Sequence, residues 1–374
     1  MTHAYTPGLR IAERTEVMSH RVLPLVGDVI VKKGDVLKAE DVVARTHLPG
    51  KVHAINAVNR LGIQPKDIRE YMIKKEGDPV QKDEIIAETR PWIKMLKTVL
   101  LAPITGTIET ISNVTGQVLL REPPKPIQVF AYIDGTVIEI LEKEGVVIET
   151  TATFLQGIFG VGVEAVGELV VAVDNPDDTL TAELIQPAHK NKILAGGAYI
   201  QSDAFEKAKK AGVKGIIVGG FDDEDLTKLL GYNLGVAITG SEDIGITLII
   251  TEGFGRIPMA QRTFDLLKSR SGAKTSINGA TQIRAGVVRP EIIIPYSGKI
   301  SGEAVDKPID RGMEIGDPVR VIRVPHFGKI GKIKALPFPP QSIETEAKVR
   351  ILEVEFPDGS TAIVPRANVE MIET

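Results

Sequence analysis

Short apolar runs rich in Ile and Val, unbroken by polar alternation, recur between positions 192 and 278 and organise the chain. KILA (192–195), GIIV (215–218) and VAI (236–238) each read as a strand, and each ends on small residues: Gly196-Gly197, Gly219-Gly220 and Thr239-Gly240. Such runs suit strands buried on both faces of a mainly parallel sheet. Between them the period changes to that of amphipathic helices over Ser202–Ala211 and 222–230. Ser202 and Asp222 are the expected N-caps, and Asp203 and Asp225 stand in first turns, where the helix dipole favours negative charge. Gly212 and Gly231 are the expected closures. Pro258 opens a third expected helix, 258–269. The β-branched run at 246–250 reads as a strand, and the sheet continues at 275–278 and 292–294.

Upstream the pattern is β throughout, and it repeats. VKKGDVLKAEDVVART (31–46) recurs 43 positions later as KKEGDPVQKDEIIAET (74–89), matching Gly34-Asp35 with Gly77-Asp78. GTIETISNVTGQVL (106–119) recurs 29 positions later as GTVIEILEKEGVVI (135–148). Repeats of this kind mark duplicated structural units. Gly-Asp supplies a turn with one residue that takes positive φ and one that bonds its own backbone. Glu109, Glu139 and Glu149 alternate with apolar residues and read as solvated strand faces.

Gly-Asp-x-Val followed by an acidic residue and an apolar pair, with Ala-Pro-x-x-Gly-Thr-Ile at 102–108, resembles the barrel-sandwich hybrid of biotinyl and lipoyl carrier domains. The resemblance spans roughly residues 20–150. Carriers present a lysine seven residues before the Ala of their Ala-Pro pair. Here that position is Met95, with Lys94 and Lys97 beside it. The resemblance therefore implies the fold without the modification, and no cofactor.

Residues 317–374 resemble a KOW module, the small SH3-like barrel of NusG-type elongation factors, through DPVRVIRVPHFGKIGKIKAL (317–336) and two further strands around Asp358-Gly359. KOW barrels bind RNA in some proteins and protein in others, so the resemblance implies one or the other. Arg320, Arg323, His326, Phe327, Lys329, Lys332 and Lys334 are the candidate nucleic-acid contacts, with the aromatic pair at a turn where it could stack on an unpaired base. Together the readings give a multi-domain β plus α/β protein. A barrel-sandwich-like domain occupies 1–150, an α/β domain 151–296, a Gly/Pro-punctuated linker 297–316, and an SH3-like KOW barrel 317–374. That order resembles uncharacterised bacterial multi-domain proteins of the same layout and implies no activity.

Composition narrows the chemistry. The 374 residues carry a net charge of −4, so any attraction for nucleic acid must be local. There is no cysteine, which excludes disulfides, thiolate nucleophiles and thiolate-held metals and suits a reducing cytoplasm. The N-terminal segment has no apolar core of a signal peptide, and the most apolar window, 154–173, is broken by Glu164, Glu168 and several glycines. The six histidines are scattered. No acid–base pair or catalytic triad stands out, which favours a non-enzymatic protein. Neither nucleotide fingerprint is present in the glycine-rich stretch at 157–178.

Ligands of open α/β sheets bind beyond the carboxyl ends of strands. The candidate ligand-binding residues are therefore Gly219, Gly220, Asp222, Asp223, Thr239, Gly240, Glu252, Gly253, Gly255 and Arg256. Arg256 suits an anion, and Asp222 and Asp223, with Glu242 and Asp243, suit a divalent cation. The same residue types dominate ordinary caps and turns. The expected function is a scaffold or adaptor that contacts RNA, a ribonucleoprotein or a protein through the barrel. A small-ligand or enzyme-assisting protein with its site at the strand ends is the alternative. A homo-oligomer is expected, and no membrane partner.

Overall fold

The Ile and Val runs of the middle of the chain become Ile193–Ala195, Gly215–Phe221 and Thr247–Phe254, which pair in parallel with one another and with Ala165–Val171. The computed structural model describes residues 9–92, 97–230, 244–281, 288–296, 313–321, 326, 329–337, 341–342 and 348–371. Every residue of Ile193–Ala195 and Gly215–Phe221 is buried, as the absence of polar alternation requires. The helix Ser202–Ala211 turns Ala204, Phe205 and Ala208 inward and ends at Gly212, whose φ of 77° is a left-handed closure. Its N-cap is Gln201, one residue earlier than expected. Asp222 does cap the next helix, Asp223–Leu230, accepting the Glu224 N–H at 2.9 Å. Pro258 precedes the third helix, Gln261–Ser269, instead of opening it. The run at 236–238 and Gly231 lie outside the described residues.

The expectation of a mainly parallel sheet is corrected. The parallel block is only the middle of a mixed, thirteen-stranded sheet. Phe159–Val161 adds antiparallel to Thr247–Phe254 on one side. On the other, Ala165–Val171, Lys274–Asn278, Glu291–Pro295 and Gly145–Gln156 follow one another antiparallel. A strand buried on both faces shows the same apolar run whichever way its neighbour points, so burial alone does not encode direction.

Gly145–Gln156 joins this sheet to the N-terminal β region. One of its edges pairs with Ile11–Val22 along nearly its whole length, and the other pairs first with Gly135–Leu141 and then with Glu291–Pro295. The boundary expected at 150–151 falls inside this strand.

The two repeated Gly-Asp turns are built alike. Gly34 and Gly77 have φ of 92° and 91°. The Asp35 carboxylate accepts the Lys32 N–H at 2.8 Å, and the Asp78 carboxylate accepts the Lys75 N–H at 2.7 Å. Each glycine N–H then donates to a strand of the second repeat: Gly34 to Val137 O at 2.8 Å, Gly77 to Ile108 O at 2.7 Å. The N–H groups of Val137 and Ile108 return to the carbonyls of Asp35 and Asp78. The earlier turn thus binds the later strand, and the later turn the earlier strand.

The repeats are therefore nested. Residues 51–122 form an inserted module whose core gathers Val58, Ile68, Ile86, Leu100, Ile108 and Leu120. The surrounding module packs Val17, Val43, Ile133, Val137 and Ile148. The chain enters and leaves the insertion at one point, where the Glu122 N–H donates to Lys51 O at 2.9 Å.

The C-terminal region contains a five-stranded antiparallel sheet around Val319, Ile333, Leu352 and Val354. It carries a third copy of the turn, which the sequence patterns above did not reveal. Glu314 N–H donates to the Asp317 carboxylate at 2.8 Å, Gly316 N–H to Ile333 O at 2.7 Å, and Ile333 N–H to Asp317 O at 2.9 Å.

Candidate functional site

At the strand ends, the glycines expected to admit a ligand admit the chain's own backbone. A Cβ on Gly219 would lie 2.2 Å from Ile257 O, and one on Gly220 would lie 1.9 Å from Gly255 O. Gly255 N–H donates to Phe221 O at 2.9 Å, and Gly253 is the strand partner of Gly220. Residues 253–259 therefore make the close approach that a phosphate would have made. Arg256 is exposed and its guanidinium reaches Asp177 O at 3.4 Å; it stands five residues before the third helix, not at the helix start expected for it. Asp222 is used as a cap. Asp223 is the first residue of its helix, and its side chain is outside the described set. Thr239, Gly240, Glu242 and Asp243 also lie outside the described residues. Among the described residues, no three His, Asp or Glu side chains gather as a metal site.

Glu252 and Arg320, assigned from sequence to two different sites, meet each other. Arg320 Nη2 donates to Glu252 Oε2 at 2.5 Å, with the two side chains 3% and 4% exposed. The other carboxylate oxygen accepts the Ala260 N–H at 3.0 Å, and Arg320 Nη1 donates to Thr251 O at 3.2 Å. The strand Pro318–Val321 explains the geometry. Val319 and Val321 face the core of the C-terminal sheet, so alternation turns Arg320 to the opposite face, against the central sheet. Arg320 is thereby removed from the candidate nucleic-acid surface. An arginine between two core valines was the signal available in the sequence.

The exposed face of the C-terminal sheet is mixed in charge. Lys332 and Lys334 are both exposed, as alternation predicts. Glu355 stands across from Lys332, and Glu353 accepts from Lys334 at 3.0 Å. Lys329 Nζ lies 5.2 Å from the centre of the Phe356 ring, and the His326 ring packs on the same phenylalanine at 5.5 Å. Arg323 and Phe327 lie outside the described residues. Lys97, beside the carrier-like hairpin position, pairs with Glu88 at 2.6 Å, and Lys94 and Met95 are outside the described set.

The seam between the N-terminal module and the central sheet holds titratable groups that no motif announced. Tyr132 is buried at a φ of 69°, with the Arg21 guanidinium 5.1 Å over its ring. Arg21 grips Glu164 with two bonds of 2.7 Å and donates to Phe130 O at 2.8 Å. Burial holds the Glu291 carboxyl above the usual carboxylate range, opposed by the Tyr132 hydroxyl and reinforced by Glu164. Burial also lifts the Tyr132 phenol well above its ordinary value. Lys274 bridges Asp134 at 2.6 Å and Glu40 at 2.7 Å; burial works against its charge, but these two bonds hold its pKa raised. Two clefts open along the seam, of about 460 Å³ and about 740 Å³. These residues come from strand faces and turns far apart in the chain, so only the fold assembles them.

Compared with known proteins, the chain matches no family model and no curated protein. Among the described residues, no helix is long and apolar enough to cross a membrane.

Proposed function

We propose that the protein is a non-enzymatic cytoplasmic scaffold or adaptor. In this reading the N-terminal module is a barrel-sandwich hybrid relieved of its carrier lysine, and the C-terminal sheet is a KOW-type SH3-like barrel that works as a protein-docking or structural unit. The observation that carries the reading is the Arg320–Glu252 pair. The cation best suited to grip a phosphate is buried against the central sheet, so the barrel is tied into the body of the molecule. Lys332 and Lys334 stand opposite carboxylates, a pattern suited to a protein surface and poor for a polyanion. Self-association belongs to the same proposal: Val36, on a terminal strand of the large sheet, is 82% exposed, and Met18 is 58% exposed.

Binding of single- and double-stranded RNA at low and moderate salt tests the reading, with Lys329→Glu/Lys332→Glu/Lys334→Glu as the comparison. The expected result is no salt-dependent binding by either protein. Binding by the wild type that falls steeply with salt and is lost in the triple variant would establish the RNA reading instead. Light scattering complements this, with a mass above the 40.4 kDa of one chain expected.

A further inference from the structure

Within the inserted module, Val99–Leu101 is one edge of a two-stranded antiparallel sheet with Ile85–Glu88. At the two ends of this ladder the Thr89 N–H donates to Thr98 O at 2.9 Å and the Ala102 N–H to Glu84 O at 2.9 Å. Alternation along an antiparallel ladder then turns the backbone groups of Thr98, Leu100 and Ala102 toward Ile85–Glu88, and those of Val99 and Leu101 away from it. Among the described residues, no group pairs with that outer edge. Ile86, Ala87 and Leu100 belong to the module's core, while Val99, Leu101 and the facing Ile85 are 37%, 38% and 40% exposed.

The duplicate of this strand in the surrounding module has a protected edge. The repeat that equates 106–119 with 135–148 equates Val99, Leu100 and Leu101 with Gln128, Val129 and Phe130. The ladder agrees, since the Ala131 N–H donates to Asp41 O at 2.8 Å as Ala102 donates to Glu84 O. There the strand Lys125–Phe130 carries a lysine, a proline and a glutamine, and the outward carbonyl of Phe130 accepts Arg21 Nε at 2.8 Å. Lysine, proline and a covering group are common protections of a sheet edge. The stretch 98–102 contains neither charge nor proline. A bare apolar edge of this kind is a template for another strand, and a two-stranded sheet gains stability from added strands.

The strand is self-complementary. Two copies running antiparallel about an axis at Leu100 put Val99 of each opposite Leu101 of the other, and every outward N–H finds a carbonyl. The exposed valine and leucine then cover each other as cross-strand pairs, and the sheet grows from two strands to four. Lys97, already held by Glu88 at 2.6 Å, comes opposite Pro103, so no like charges meet.

We propose that the protein dimerises by antiparallel pairing of Val99–Leu101 with the same strand of a second copy. This rests on the self-association proposed above and gives it a surface other than the Val36 edge.

Light scattering on the full chain compares wild type with Val99→Lys/Leu101→Lys and with Val99→Glu/Leu101→Glu. Each variant alone sets like charges opposite one another and should have half the wild-type mass, with an unchanged circular dichroism spectrum. Mixing the two variants pairs every lysine with a glutamate of the other chain and should restore the wild-type mass. Leu101→Pro deletes an outward N–H and leaves the ladder to Ile85–Glu88 intact, so it should also halve the mass and serves if the charged variants lose their fold. Charged variants that keep the wild-type mass overturn this surface and leave the self-association standing. A wild type of 40.4 kDa overturns both. Charged variants that dissociate alone and stay apart on mixing overturn the antiparallel pairing.

Discussion

Arg320 and Glu252 are each poor guests for a protein interior, and together they are tolerated because both carboxylate oxygens and both terminal guanidinium nitrogens are hydrogen-bonded. Removing one partner strands the other charge, so Arg320→Ala or Glu252→Ala should cost about 3–5 kcal/mol. Replacing both by apolar residues of similar size, Arg320→Met/Glu252→Leu, should recover most of that loss. Urea unfolding of the three variants decides it; a double variant as unstable as the singles would refute the account. Glu291 gives a pH dependence with a definite sign. Its folded pKa is raised above 4.5, so the native state holds the proton more tightly than the unfolded chain. Between the unfolded and folded values the native state binds more protons, and stability therefore falls as pH rises from about 4.5 and levels off above the folded value. Glu291→Gln should flatten that part of the profile. Parallel profiles for wild type and variant would exclude Glu291 as the source.

Among the elements, the Gly-Asp turns and the strand-end glycines test two different reasons for glycine. Gly34 has a positive φ and open space around the missing side chain, so Gly34→Ala should cost only the left-handed strain, about 1–2 kcal/mol. Gly220 is different: the carbonyl of Gly255 stands where its Cβ would go. Gly220→Ala must push backbone apart and should be clearly the more destabilising of the two in thermal melts. If the two cost the same, the packing of residues 253–259 over the strand ends is not what fixes Gly220. Turns were legible because their chemistry is local: a glycine for φ and an aspartate for its own loop. The copy at Gly316-Asp317 carries the same GDPV letters as 77–80 and was open to the same reading. The strand-end glycines misled because a close-approach glycine looks the same whether a ligand or the chain itself arrives.

At the scale of the whole molecule, the insertion of 51–122 has a direct consequence. Its core is separate, and its two ends are held side by side by the Glu122–Lys51 bond. Joining Gly50 to Pro123 should therefore leave the remaining chain folded, and the excised segment should fold alone. Amide-exchange protection in both products is the readout; a disordered remainder would show that the nesting is only apparent. The buried strands, the helices between them, the duplicated Gly-Asp turns and the β character of the C-terminal region were legible in the amino-acid pattern. Each follows from periodicity, capping or turn chemistry, all of which act within a few residues. The directions of the outer strands, the nesting of the repeats, the burial of Arg320 on Glu252 and the assembly of Tyr132, Glu164, Glu291 and Arg21 at the seam were decided only by the tertiary structure. Those depend on which distant segments share a face, and an apolar run or a lone charge carries no mark of its future neighbour.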